Sequence, residues 1–167
     1  MNNLTHLPFN LAGEIYRCPM PLAKFDFDQS TLSELKDADV EKVIVLVPEY
    51  EWLKRTGLDL AVLYRNQGIK MIHFPVVDYS IPTDSAAYLK LVLQAKEWAE
   101  SGENIAVHCL AGIGRTGTFL AALAMKVFGW GAMQAVLWVR QFIPGAVENE
   151  VQLAYVISLE KEINQQE

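Results

Sequence analysis

Apolar residues along the chain fall into three short runs separated by longer, periodic stretches. Residues 41–47 (EKVIVLV) form a β-branched run ended by Pro48, which predicts a buried strand. The runs 70–75 (KMIHFP) and 104–108 (NIAVH) predict two more. Between them, residues 30–36, 58–66 and 84–100 read as helices; in the last, Leu89, Val92, Leu93, Lys96 and Ala99 keep helical spacing with one charged interruption. Beyond residue 108 the pattern turns helical. Residues 116–128 are apolar on nearly every side and stop at Gly129, which predicts a buried helix. Residues 132–142 and 150–163 predict helices on either side of Pro144-Gly145. Strands alternating with helices predict an α/β fold: a parallel, or mostly parallel, central sheet flanked by helices and followed by a helical group. Ligands of such sheets sit beyond the carboxyl ends of the strands.

Composition narrows the picture. A chain of 167 residues without repeats is expected to form one domain, 1–167, and is long enough to bury a core without disulfide or metal. A hydrophobic fraction of 51% excludes disorder as the default. With 14 Lys+Arg against 20 Asp+Glu, net charge −6, and no basic run, the chain is a poor nucleic-acid binder, and no such partner is expected. The longest apolar stretch, 119–125, is too short to span a membrane, and the start has neither the basic nor the apolar region of a signal peptide. Two cysteines, Cys18 and Cys109, with three dispersed histidines, make neither a disulfide framework nor a metal site. The expectation is a soluble protein of a reducing compartment, most simply the cytoplasm, with no cofactor or metal and no membrane association. Oligomeric state is left open.

The chemistry is concentrated in His108-Cys109-Leu110-Ala111-Gly112-Ile113-Gly114-Arg115-Thr116-Gly117, between a buried strand and a buried helix. A strand-to-helix turn with internal glycines lets consecutive backbone N–H groups of Leu110, Ala111, Gly112, Ile113 and Gly114 curl around one tetrahedral anion, and the helix N-terminus adds positive potential. Arg115 can offer two parallel hydrogen bonds to phosphate oxygens. Cys109, at the mouth of that nest, is expected to react as a thiolate nucleophile. Thr116 can donate its hydroxyl to the sulfur, and His108 is expected to orient the loop from beneath without titrating.

These residues resemble the His-Cys-x5-Arg-Ser/Thr signature of the cysteine-dependent protein tyrosine phosphatase superfamily, with Cys109, Gly112, Arg115, Thr116 and Gly117 in register. The resemblance implies a phosphatase-type three-layer fold and a general acid on a separate loop. Residues 74–82 (FPVVDYSIP) follow a strand and resemble the acid loop of the dual-specificity-like branch, which makes Asp78 the general acid; the competing reading is a turn residue. Asp84, at the start of a helix, reads as a cap. Residues 144–152 resemble the family's Arg-Pro-Gly-Ala-Ile/Val-Glu segment, whose later glutamine, here Gln152, can help place the hydrolytic water. Ile143 stands where relatives commonly have Arg, with Arg140 one turn earlier. Arg17, in a segment similar to Tyr-Arg-Ser-x-x-Pro, is read as bracing the loop. Cys18 replaces the usual Ser there and could pair with Cys109 on oxidation. The four tryptophans and His73 read as packing residues.

The position of the cysteine loop, with the acid upstream, resembles a small dual-specificity-like phosphatase, which implies a phosphorylated protein or peptide as substrate. No lysine lies in the loop, which with the negative net charge favours a monophosphate ester such as phosphotyrosine, with phosphoserine and phosphothreonine left open. Two other readings stand beside it: the same chemistry on a phosphoinositide, inositol polyphosphate or RNA 5′-triphosphate, and a non-catalytic phosphate-binding module.

Overall fold

The computed structural model describes residues 2–165. Five strands form one sheet: β1 (Thr5–Leu7), β2 (Ile15–Arg17), β3 (Lys42–Val45), β4 (Lys70–His73) and β5 (Ile105–His108). They lie in the order β1-β2-β5-β3-β4, all parallel except the β1–β2 pair at one edge. Seven helices flank the sheet: α1 (Thr31–Asp37), α2 (Glu49–Thr56), α3 (Leu60–Asn66), α4 (Ser85–Glu100), α5 (Gly114–Phe128), α6 (Ala132–Phe142) and α7 (Glu150–Asn164). The α/β architecture expected from the alternation of runs is the one found.

The central strand β5 is buried at every position, because it has neighbours on both edges and helices above and below. Helix α5 leaves its carboxyl end, is buried from Gly114 to Met125, and packs against α4, α6 and α7. Its small face makes this possible: a Cβ on Gly117 would lie 2.6 Å from the Ala146 Cβ, so glycine lets the segment after α6 close against the first turn of α5. Helix α4 starts where Asp84 accepts the Ala87 N–H at 3.0 Å, the cap expected of it. Trp130 and Trp138 pack with Phe9, Phe128 and Phe142 around α5 and α6. Among the described residues, no single helix is long and apolar enough to cross a membrane.

Four elements depart from the pattern reading. β1 and β2 have three residues each, too few for a periodicity to register, and they bury only part of one face. α2 was hidden by Pro48, read as the end of a strand. Pro48 sits at the cap position with extended backbone (φ −61°, ψ 150°), so the chain turns directly from the strand edge into a helix that ends at the left-handed Gly57. The helix after the cysteine begins at Gly114, two residues earlier than the apolar run implied.

Candidate active site

The carboxyl ends of β3, β4 and β5 deliver three segments to one edge of the sheet: residues 46–56, the acid loop 74–82 and the cysteine loop 109–115. Backbone bonds pin them together. Leu46 N–H donates to the His108 carbonyl at 2.9 Å, Val76 N–H to the Leu46 carbonyl at 2.9 Å, and Met20 N–H to the Leu110 carbonyl at 2.9 Å. Gly112 has φ +73°, and a Cβ there would fall 2.3 Å from the Cys18 carbonyl oxygen. Only glycine lets the loop turn this tightly over the end of β2.

Together they enclose a cavity of about 330 Å³ lined by Cys109, Leu110, Ala111, Ile113, Gly114 and Arg115, with Asp78, Tyr79, Glu148, Lys24, Phe25 and Arg55 around its mouth. Gly112 is not among the lining residues, and the side on which its Cβ would stand faces the Cys18 carbonyl. A larger hollow at the opposite side, beside Lys36 and Gly102, contains none of these groups.

Arg115 is almost wholly buried and its guanidinium is held on both nitrogens. Nη1 donates to Glu51 Oε2 at 3.0 Å and to the Val76 carbonyl at 2.9 Å; Nη2 donates to Glu51 Oε1 at 3.0 Å and approaches Asp78 Oδ1 at 3.1 Å. Burial opposes the charge, but the Glu51 hydrogen bonds and the neighbouring Cys109, Glu51 and Asp78 outweigh it, so the Arg115 pKa is raised. Glu51, from the unexpected helix α2, is the functional residue that pattern reading missed. Its one signal in the sequence is a glutamate on what becomes the buried side of an otherwise polar helix, next to Trp52.

Beneath the loop, His108 is fully buried. Its Nδ1 lies 2.8 Å from the Cys109 carbonyl, which can only accept, so Nδ1 carries the proton and Nε2 accepts from the Tyr64 hydroxyl at 2.7 Å. Burial pushes the His108 pKa down to about 4, so the imidazole is neutral at physiological pH. The consequence for stability has a definite sign. The unfolded histidine binds a proton near pH 6.5 and the folded one only near 4, so this contribution is full above pH 6.5 and is lost as pH falls toward 4. The loss is about 3 kcal/mol at full titration. Urea midpoints should therefore drop across that window, and His108→Asn should show a markedly smaller drop.

The structure brings Asp78 to the cavity. Tyr79, with φ +59°, turns the chain so that its own N–H donates to Asp78 Oδ1 at 3.0 Å. Two bonds from the start of α7 hold the same loop: Asn149 Nδ2 to the Tyr79 carbonyl at 2.9 Å and Gln152 Nε2 to the Ser80 carbonyl at 3.5 Å. Gln152 does not reach the cavity. It is wholly buried, with its Oε1 accepting the Glu148 N–H at 2.9 Å. Glu148 takes the place at the cavity wall instead, its carboxylate filling the space a Gly114 side chain would need. Burial and the nearby Asp78 raise the Glu148 pKa, with Arg115 opposing them. Arg140, one turn before Ile143, binds the carbonyls of Ala146 and Val147 at 2.9 and 3.0 Å and so fixes this segment, while Ile143 is core.

The Thr116 hydroxyl, in the first turn of α5, is buried without a hydrogen-bond partner among the described residues. Cys18 and Cys109 are both free thiols, and burial pushes the Cys18 thiol far up, away from the thiolate form. His73 Nε2 donates to the Val47 carbonyl at 2.8 Å, and its ring packs on Trp52. No cluster of side chains that could hold a metal ion occurs among the described residues.

A cysteine at the mouth of a strand-to-helix loop closed by arginine, at the carboxyl edge of this sheet, defines the class of cysteine-dependent phosphatases, dual-specificity branch. A family model described as Tc-R-P: Polymorphic toxin system, DSP-PTPase phosphatase matches residues 23–128, and the chain belongs to that family. Dual specificity protein phosphatase CDC14C of Homo sapiens is 47% identical over 70 residues, covering 42% of this chain and 15% of that protein. Tyrosine-protein phosphatase cdc-14 of Caenorhabditis elegans is 33% identical over 100 residues, 59% of this chain and 13% of that protein. The chain thus spans about a seventh of the length of these curated relatives. Among solved structures, kinase associated phosphatase with its catalytic-site cysteine changed to serine superposes with a TM-score of 0.86 over 96% of this chain and 95% of that one; at 22% identity the likeness is one of fold. Tk-PTP in the active form is 29% identical with a TM-score of 0.75, covering 89% of this chain and 92% of that one.

Proposed function

We propose that residues 1–167 act as one phosphatase domain that hydrolyses phosphate monoesters on proteins, phosphotyrosine foremost, through a cysteinyl-phosphate intermediate. The observation that carries the reading is the Arg115 guanidinium, locked by a two-point pair with buried Glu51 beside Cys109 at the floor of an open cavity. A fixed, desolvated cation next to a nucleophile is what charge development on a transferring phosphoryl group requires.

In the first step Cys109 Sγ attacks phosphorus, the bond to the ester oxygen breaks, and Asp78 delivers its proton to that oxygen. The backbone N–H groups of residues 110–114 and Arg115 bind the equatorial oxygens. In the second, a water attacks phosphorus while Asp78 takes its proton; the S–P bond breaks and the electron pair returns to sulfur, where the unpartnered Thr116 hydroxyl can donate. Asp78 Oδ1 lies 3.1 Å from Arg115 Nη2. A phosphate dianion must replace that contact to reach Nη2, which frees the carboxylate to collect the proton it later donates. Glu148 faces the water's approach, and Gln152 supports both carboxylates by holding the Glu148 backbone and the acid loop. Phe25 and Tyr79 at the mouth offer aromatic walls for an aryl ring, which favours phosphotyrosine, and Lys24 and Arg55 draw an anion toward an otherwise acidic protein. Two free cysteines suit a reducing compartment such as the cytoplasm, where Cys109 stays reduced.

The test is phosphate release from one peptide carrying phosphotyrosine, phosphothreonine or phosphoserine, with Cys109→Ser as blank. Release fastest from phosphotyrosine is expected, and release from none above the blank would overturn the reading. Asp78→Asn should slow an alkyl phosphate about a hundredfold more than an aryl phosphate with a good leaving group, since only the former needs the proton. Equal slowing would remove Asp78 from the acid's role.

A further inference from the structure

A second hollow of about 250 Å³ opens beside the catalytic cavity and shares Phe25, Ala111 and Ile113 with it. Its remaining walls are Asn2, Asn3, Thr5, Arg17, Pro19 and Phe27. None is acidic. Arg17 comes from the end of β2, where its strand neighbour in the sheet is Val107, two residues before the nucleophile.

A bracing arginine would be paired. Arg140 is, with two carbonyls at 2.9 and 3.0 Å, and Arg115 is, with Glu51. Arg17 is not: among the described residues it makes no ion pair, its single hydrogen bond is a long one from Nη1 to the Asn3 carbonyl at 3.4 Å, and its Nε is buried without a partner. Leaving a guanidinium N–H buried and unsatisfied is costly unless something fills the place. The nearby carboxylates do not. Asp26, Asp28 and Glu34 turn toward Asn3, Ser30 and the backbone N–H groups of Leu4, Leu22 and Thr31, and none lines the hollow. Burial lowers the Arg17 pKa.

We infer that this hollow is a subsite for a second anionic side chain of the substrate, a phosphorylated residue or a glutamate or aspartate, held by Arg17 a short distance along the peptide from the phosphate being removed. The wall shared between the two cavities sets that arrangement: a peptide lying over Phe25 and Ile113 reaches both at once. Phe27, exposed and edge-on to Phe25, gives the peptide an apolar rest at the outer side. Arg17 is well suited to this work because its planar fork binds either a carboxylate or a phosphate with paired hydrogen bonds. The inference rests on the protein-phosphatase reading above, since a free phosphate monoester would not extend to a second site.

The test separates the two. Binding of fluorescent phosphotyrosine peptides to Cys109→Ser is measured with glutamate, phosphoserine or glutamine at each position within three residues on either side. At one or more positions the two anionic peptides should bind about tenfold more tightly than the glutamine peptide, as expected of one charge-assisted contact. In Cys109→Ser/Arg17→Gln that ratio should fall to near one, and in Cys109→Ser/Arg17→Lys, which keeps the charge but not the fork, it should be intermediate. A ratio is read within each protein, so a general weakening of the loop leaves it unmoved. Equal affinities at every position, or a preference that survives Arg17→Gln, would overturn the subsite. A glutamate preference without a phosphoserine preference assigns it to carboxylates, and the reverse to a second phosphate. Preference without turnover by the unsubstituted enzyme would condemn the catalytic reading alone, turnover without preference the subsite alone, and absence of any binding both.

Discussion

Cys109→Ser should bring turnover of a phosphotyrosine peptide to background, a loss of at least about ten-thousandfold, while the peptide still binds. A serine hydroxyl at the same place is a far weaker nucleophile than a thiolate, and His108 cannot activate it, with its Nδ1 proton committed to the Cys109 carbonyl and its Nε2 engaged by Tyr64. The binding elements are untouched, because the loop N–H groups and Arg115 do not depend on the sulfur. Phosphate release and equilibrium titration with the same peptide read the two effects separately. A residual burst of product in the serine variant would rule out the cysteinyl intermediate.

Glu51→Gln should have the second-largest effect, on rate and on stability together. The substitution keeps the volume but removes the charge that faces both terminal nitrogens of a buried guanidinium. Breaking one side of such a pair costs about 3 kcal/mol, which lowers Tm by roughly 10 °C at this chain length. The catalytic loss should be about a hundredfold, mostly in kcat, because Arg115 would no longer be held in place for the transition state. Arg115→Lys should mimic it from the other side, since one ammonium cannot satisfy Glu51, the Val76 carbonyl and a phosphate at once. A variant with normal kcat and a lowered Tm would limit Glu51 to a structural role.

What could be read beforehand followed from how far apart the partners lie in the chain. The cysteine loop is a local object: ten consecutive residues carry the strand end, the turn glycines and the arginine, so their chemistry was visible without any knowledge of the fold. The sheet was legible through the apolar runs of β3 and β5, whose burial on both faces leaves a continuous signal. Glu51 was not, because its meaning depends on an arginine 64 positions later and on a helix whose start looked like the end of a strand. The glutamine and glutamate of the segment before α7 were exchanged for a similar reason. Glu148 precedes the helix and Gln152 lies in its first turn, and only the helix geometry decides that the first faces the cavity and the second the interior. The context of Arg17 in the sequence points to a bracing role; that its Nε is buried without a partner is a three-dimensional fact.

The strand order also governs when the site can come into being. β5 is the last strand to be synthesised, yet it lies between β2 and β3, joining a pair whose registered residues are 90 positions apart in the chain. Until residue 108 has left the ribosome, the earlier strands can form only two separate pairs, β1 with β2 and β3 with β4, each with an open edge where β5 will enter. Pairings so distant in sequence close slowly, and open edges are where nascent chains stick to one another. The strand that leads into Cys109 is thus also the keystone of the sheet. No shortened chain ending before it can hold a partial site, and chaperone protection during synthesis matters most in the interval before residues 105–108 emerge.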